Sequence, residues 1–511
     1  MESRVRGGPQ STRRNAKYKM NLLYIIGLPI LTAIAVLASK TRSQIRWISF
    51  IGSLAQLTLA LVLVIVFRNE REAGNTSQML FEQTTKLFPS LSISFHFGVD
   101  GISVAMILLT AFVVVAGVLV SWNVEKMTKE FYFLLILLGL GAYGFFISLD
   151  LFILFFFLEV AVIPKYLLIG IWGSGKKEYS ANKLALMLMT GSALVLIAML
   201  GIYFAQGNVR SFDLMHIAQL HIAPELQRIL FPLFFVGFGV FTAIFPLHTW
   251  VPDGHSSAPT AGSMFLAGIS MKLGGYGCLR VATWLLPEAA KEYSNIVIVL
   301  ASIAILYGAF ATMMQKDLKY INAYSSISHC GFVLLGIGML TTTAMTGAVM
   351  QMVSHGLMTA LFFAVIGMIY DRTHTRMVAD MGGLMKVMPF ICTALFIVGL
   401  CSLGLPGFSG FIAEMTVFMG SWEKAGLFYR VATIIACMSI VVTAVYILRA
   451  VGQTAMGPIK ESYNNLSDAK WNEKLAAGIL ILGIVAIGVY PSWLNDLIRP
   501  GAELIFQRIA G

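Results

Sequence analysis

Five acidic, basic or imidazole side chains interrupt stretches that are otherwise apolar. Glu159 is the ninth residue of LFILFFFLEVAVIPKYLLIG, and Lys272 lies in AGSMFLAGISMKLGGYG. His329 lies in SSISHCGF, His355 in QMVSHGLM, and Glu414 in SLGLPGFSGFIAEMTVF. A sixth, Lys165, follows Glu159 by six residues. A charge at the centre of a membrane helix costs about 2.5–3.5 kcal/mol on insertion scales, so such groups must face one another, water or a cavity. Carboxyl, amine and imidazole groups have one use in common. Burial raises carboxyl pKa values and lowers those of amines, so neighbours of these types exchange protons at small energetic cost. The chemistry indicated is proton transfer along a row of buried groups. Plainer readings exist for each: a structural Glu159–Lys272 ion pair, hydrogen-bonded core histidines, a helix-capping role for Glu414, and a Lys165 that snorkels to its helix end.

The elements that must hold these residues are membrane helices. Of 511 residues, 58% are hydrophobic and only 12% charged, with mean hydropathy +0.80. Soluble domains carry about 25% charged residues, so this composition excludes a soluble enzyme, a disordered chain and a secreted disulfide scaffold. Fourteen apolar runs of roughly 17 to 25 residues recur, at 21–39, 47–67, 99–121, 131–149, 151–172, 184–205, 229–250, 260–286, 295–314, 320–340, 345–370, 388–418, 427–449 and 475–497. Their length and continuity argue for an all-α polytopic membrane protein and against a β-barrel, whose strands read as short alternating segments. The loops after odd-numbered runs hold the larger share of Lys and Arg, including Lys176, Lys177, Lys183, Lys316 and Lys319. That bias places those loops in the cytoplasm and both termini outside.

Of the net charge of +11, +5 falls in the first 19 residues, where Arg4, Arg6, Arg13, Arg14, Lys17 and Lys19 stand against Glu2. This tail reads as a mis-called start, with Met20 as the first residue; the alternative is a basic tail touching anionic lipid. The chain divides into the tail at 1–20, two N-terminal helices and an outer loop at 21–98, a translocating core at 99–450, and a cytoplasmic loop with a last helix at 451–511. Cys278, Cys330, Cys392, Cys401 and Cys437 form no CxxC and read as helix packing. No phosphate-binding glycine motif is present. No cofactor, metal or nucleic-acid partner is expected for this chain; the lipid bilayer is.

Two runs are broken by proline. The seventh runs into FPLHTWVPDGHSSAPTAGS with Pro246, Pro252 and Pro259, and the twelfth contains CSLGLPGFSGF with Pro406 between glycines. Proline removes a backbone donor and clashes with the preceding turn. Backbone opened in this way at membrane depth survives only where it lines protein or water. Breaks five helices apart predict two inverted five-helix repeats, about helices 4–8 and 9–13.

PLHTWVPDGHSSAPTAGS followed by AGISMKLGGYG makes a specific resemblance. With LEVAVIPKYLLIGIWG, AFATMMQKDLKYINAYSSISHCGF, GAVMQMVSHGLMTALFF, YDRTHTRMVADMGGL and SLGLPGFSGFIAEM, it resembles the antiporter-like membrane subunits of proton-pumping NADH:quinone oxidoreductase (complex I), most of all the M chain, or chain 4. The resemblance covers about 90–420. It implies fourteen helices with broken helices 7 and 12. It also implies a relay in which Glu159 is the helix-5 glutamate, Lys272 the central helix-8 lysine, His329 and His355 the intermediates, and Glu414 the exit group. Asp150 matches an acidic residue at the outer end of the fifth helix. Partners would be the other membrane-arm subunits, with NADH, FMN, iron–sulfur clusters and quinone held elsewhere in the complex. One position departs from the pattern: Phe241 stands where the family usually has a lysine paired with the helix-5 glutamate. Lys165 is then a candidate substitute, although six residues put it about 9 Å along the helix and about 240° around it from Glu159. Three rivals remain at this point. The first is a subunit of a multi-subunit Na+/H+ antiporter or membrane-bound hydrogenase. The second is a stand-alone secondary transporter, and the third a structural spacer that has lost pumping.

Overall fold

The computed structural model describes residues 20–207 and 209–510. The reading of the tail therefore lies outside the described residues. The element order is α1 (Leu23–Ala38), α2 (Arg42–Glu72), β1 (Leu80–Phe88), β2 (Ile93–Val99), α3 (Gly101–Val120), α4 (Thr128–Ile147), α5 (Leu151–Trp172), α6 (Lys177–Ala205), α7 (Leu214–Gln219), α8 (Pro224–Thr242), α9 (Trp250–Ser257), α10 (Thr260–Phe265), α11 (Met271–Gly277), α12 (Pro287–Met313), α13 (Leu318–Gly338), α14 (Thr342–Thr373), α15 (Pro389–Ser402), α16 (Ser409–Glu423), α17 (Leu427–Ala455), α18 (Trp471–Val489) and α19 (Ser492–Ala510). Among the described residues, ten helices are long and apolar enough to cross a membrane, and α1 and α15 are shorter apolar helices.

The seventh and twelfth runs are interrupted where the prolines stand. Helix α8 stops at Thr242, and α9 resumes at Trp250 beyond Pro246. Helix α15 stops at Ser402, and α16 resumes at Ser409 beyond Pro406. The eighth run is one continuous helical path whose hydrogen bonding changes twice. Leu266–Ser270 and Cys278–Thr283 are π-helical, flanking α11 on either side. Such wide turns cost regular hydrogen bonds and occur mostly at functional sites.

Helix α14 is the axis of the molecule. Its apolar window is fully enclosed, and it packs on α3, α10, α13, α15, α16, α18 and α19. Its polar side chains Gln351, Ser354 and His355 are buried with the apolar ones, as a helix surrounded on every side requires. Peripheral α6 and α17 instead turn Leu186, Met189, Met438 and Val441 outward, as lipid-facing helices do.

The two ends of the bundle differ. One carries the lysine-rich loops. The other carries the β1–β2 hairpin, α7 and α19. The hairpin is a departure from the expected plain loop at 68–98. It is antiparallel, with Gln83 opposite Phe97 and Lys86 opposite Ser94. Its anchors are long-range: Leu149 N donates to the His96 carbonyl, Ser94 N to Asp150, and Phe97 bridges Ser148.

Candidate functional site

Lys272 opens the row. Its side chain is 1% exposed, and its ammonium donates to the Ala267 carbonyl in the neighbouring π turn. Its second partner is His355 Nδ1 at 2.8 Å. Two glycines create that contact. A Cβ at Gly356 would sit 2.9 Å from the Gly268 carbonyl, and one at Gly268 3.3 Å from that of Gly356. Only side chains of no size let α14 approach the π turn this closely, and His355 precedes Gly356. On the other flank, a Cβ at Gly274 would meet the Phe238 carbonyl at 2.4 Å, so α8 presses equally close.

From His355 the row turns to α13 and α16. The His355 and His329 rings lie 5.3 Å apart between centroids. His329 Nδ1 is 3.3 Å from Glu414 Oε1 and 3.2 Å from Gln351 Nε2, while its Nε2 is 3.3 Å from Ser402 Oγ. A carboxylate oxygen and an amide nitrogen thus stand within reach of one imidazole nitrogen. The first suits Nδ1 carrying a proton and the second suits it bare, so either tautomer keeps one of the two partners. His329 and Glu414 are 3% and 4% exposed. Glu414 is reached because α16 touches α14 through glycine: a Cβ at Gly347 would fall 2.6 Å from Val417 N, and one at Gly420 2.1 Å from Ala344 N. Ser354 Oγ donates to Ser409 Oγ at 2.8 Å just below.

Four of the six expected residues are therefore joined: Lys272, His355, His329 and Glu414. Glu159 and Lys165 stand apart on α5. Glu159 is half-buried, and its Oε1 has no hydrogen-bond partner. The expected snorkelling of Lys165 does not occur. Its ammonium is buried at 1% exposure, unpartnered, and 5.6 Å from the centroid of the Phe241 ring. Lys165 lies seven residues from the end of α5, about 10 Å of rise and beyond the reach of its side chain, so an aromatic face is the stabilising neighbour within range. The alternative Glu159–Lys272 ion pair is also not formed, since Lys272 spends its donors on Ala267 and His355. Asp150 caps α5, accepting from Phe152 N and Ile153 N.

Three further polar residues escaped the sequence reading. His255 of α9 is fully buried, stacked on Phe363 at 4.8 Å, with neither ring nitrogen partnered. Lys319, read from sequence as a loop cation, lies in the first turn of α13 at 6% exposure and donates to the Ala258 carbonyl at 2.7 Å. Gln351 is one helical turn before His355. Lys319 also lines a cavity of about 720 Å³ at the lysine-rich end, together with Asn123, Pro259, Asp371 and His374. Ala258, Pro259 and Thr260 of the α9–α10 junction are part of its wall.

At the hairpin end, His96 Nδ1 lies 2.5 Å from Asp213 Oδ2, and its Nε2 3.4 Å from Glu82 Oε2. Burial works against the imidazolium, but the hydrogen bond and charge of Asp213, aided by Glu82, outweigh it and raise His96 above its ordinary value. Burial also opposes ionised Asp213, and the His96 hydrogen bond overrides it, so its pKa falls. Asp150, beside Asp213 across an isolated bridge, is pushed up to about 6, mainly by burial.

Broken helices around an enclosed row of amine, imidazole and carboxyl groups define a polytopic membrane protein with titratable side chains buried among its helices. The chain belongs to the NADH:quinone oxidoreductase/Mrp antiporter transmembrane family, whose model matches residues 148–439. It is 36% identical over 494 residues to NAD(P)H-quinone oxidoreductase chain 4-1 of Synechocystis sp., covering 95% of this chain and 93% of that one. Among solved structures it matches a chain of respiratory complex I from Thermus thermophilus with TM-score 0.87 and 25% identity, covering 96% and 100%. It also matches a chain of the Mrp complex from Dietzia sp. with TM-score 0.82, covering 96% and 99%; at 18% identity this speaks for the fold alone.

Proposed function

We propose that this chain is a non-redox membrane-arm subunit of a proton-translocating NADH:quinone oxidoreductase, carrying protons across a bacterial inner membrane. Quinone reduction in partner subunits, which hold the NADH site, FMN and iron–sulfur clusters, supplies the energy. The relatives named as NAD(P)H-quinone oxidoreductase chain 4 support that assignment over the Mrp alternative. The single observation that carries the proton role is the enclosed series Lys272–His355–His329–Glu414 on four different helices, with polar contacts at both ends and a 5.3 Å ring-to-ring approach between the histidines. In this reading the cytoplasmic cavity with Lys319, followed by His255, is the uptake side. Lys272 is the central store, His355 and His329 pass the proton laterally, and Glu414 is the outgoing group. Glu159 and Lys165 supply the charge that biases Lys272 from α5. Residues 99–450 form the translocating core.

The test is Lys272→Ala in the purified complex, reconstituted in proteoliposomes and assayed for NADH oxidation and lumen acidification together. Loss of acidification per NADH oxidised is expected. Wild-type acidification removes Lys272, and with it the row, from proton transfer.

A further inference from the structure

We propose that the buried Arg280–Asp100 pair is the outer seal of the Lys272 site: a fixed charge that stops a proton on Lys272 from leaving straight along its own helix, so that lateral transfer to His355 is the open route. The inference rests on the proton-relay reading above.

Lys272, Tyr276 and Arg280 are spaced by four residues and share one helix face, about 12 Å from first to last. Above Lys272, toward the hairpin end, this face meets the start of α3. The Tyr276 hydroxyl lies 2.9 Å from Ser103 Oγ. Ser103 N donates to Asp100 Oδ1 at 2.9 Å, and Arg280 Nη2 donates to Asp100 Oδ2. Tyr276, Ser103, Asp100 and Arg280 are each at most 2% exposed. A row of hydroxyls and a carboxylate therefore runs outward from the turn next to Lys272, in the direction a proton has to travel. Left to themselves, such groups conduct.

What closes the row is its last member. A guanidinium does not deprotonate in proteins, so Arg280 neither accepts nor passes a proton, and its charge repels one arriving from below. Arginines guard other pores against cations by the same means. Asp100 gives up both oxygens, one to Ser103 N and one to Arg280. The π turn Cys278–Thr283 sets the guanidinium between the Tyr276 and Trp284 rings, at 5.8 and 5.3 Å. Helix α19 lies over the pair: a Cβ at Gly501 would come 2.9 Å from Asp100 Oδ2, and Arg508 Nε donates to the Trp284 carbonyl at 2.7 Å. The Arg280 Nε is buried without a partner. A pair selected for stability alone would satisfy every donor, since an unmet buried polar group costs about 1–3 kcal/mol. Buried ion pairs are in any case poor stabilisers against apolar replacements.

The experiment uses the whole complex in proteoliposomes with Arg280→Lys, the neutral pair Asp100→Asn/Arg280→Gln, and the neutral pair with Lys272→Leu added. Arg280→Gln alone, which keeps the Asp100 cap on Ser103, is a second neutral variant in case the pair does not assemble. The readouts are decay of an imposed proton gradient without NADH, protons moved per NADH, and complex content. The neutral variants are expected to collapse the gradient several-fold faster and to move fewer protons per NADH. Arg280→Lys is expected to hold the gradient, and adding Lys272→Leu to abolish the leak. An assembled neutral variant with wild-type leak and yield overturns the seal, as does a leak that survives Lys272→Leu. Failure of the relay reading shows separately, as wild-type pumping by the single Lys272→Ala variant.

Discussion

Replacing His355 with phenylalanine keeps a planar ring beside Gly268 and removes both nitrogens from the middle of the row. Lys272 then keeps only the Ala267 carbonyl as a partner. A hydrogen bond to a charged group is worth about 1.5–3 kcal/mol net, and the Lys272 side chain is expected to lose about that much anchoring at this position. The link to the next base is also lost. The hydrogen-bond partners of Lys272 are Ala267 and His355, so without the imidazole no hydrogen bond leads from it toward His329. Both effects slow the same transfer. In proteoliposomes the variant is expected to oxidise NADH while moving fewer protons per NADH, by the share this subunit carries. His355→Gln, which keeps one acceptor, is expected to fall between. Equal proton yield in His355→Phe and wild type would refute a route through this imidazole.

Lys165→Met is expected to lower proton yield more than Lys86→Met on the exposed strand β1, measured in the same assay; equal yields leave Lys165 as mere filling against Phe241. Gly347→Ala forces a methyl onto the Val417 backbone and is expected to cost about 1–3 kcal/mol by overpacking. It also displaces Glu414, so thermal stability and proton yield should fall together, and an unchanged melting temperature contradicts the packing argument. The hairpin clamp has a pH dependence of defined sign. His96 is raised above its ordinary 6.5, so its contribution is complete below that value and is lost as pH rises through the folded value. Asp213 is lowered from 3.8, so its share is lost only in acid, as pH falls through its folded value. Hydrogen exchange of the 80–99 peptide, corrected for intrinsic rates, should show protection decreasing from mildly acid to alkaline pH; a flat or rising profile contradicts the clamp.

The sequence made some parts of this site easy to read and others opaque, for physical reasons. Lys272, His355, His329 and Glu414 stand out because a polar side chain in an unbroken apolar run has no cheap explanation. Pro246 and Pro406 marked the helix breaks because a missing donor and a ring clash are local properties. Lys165 was visible as a charge, but not its direction: helix geometry fixes its angle to Glu159, and only tertiary packing says that Phe241 fills that angle. Lys319 and Arg280 sit near run ends, where a cation is ordinarily solvated, so nothing local distinguished them from loop charges. His255 was hidden in a turn-rich stretch whose burial depends on α13 and α14. The hairpin, LFEQTTKLF with ISFHFGV, alternates only weakly; its pairing is held by His96, Ser94 and Phe97 bonding to residues far along the chain. The glycine contacts at 268, 356, 347 and 420 are ordinary glycines until two helices are seen to share them.

The central claim is that protons traverse this chain from Lys272 to Glu414. It is tested most directly by counting protons delivered per NADH oxidised in proteoliposomes holding the complex with Glu414→Gln, an isosteric change that removes the terminal proton-carrying group while keeping a partner for His329. Continued NADH oxidation with a reduced proton count is expected. A count equal to wild type, from a fully assembled complex, would contradict it.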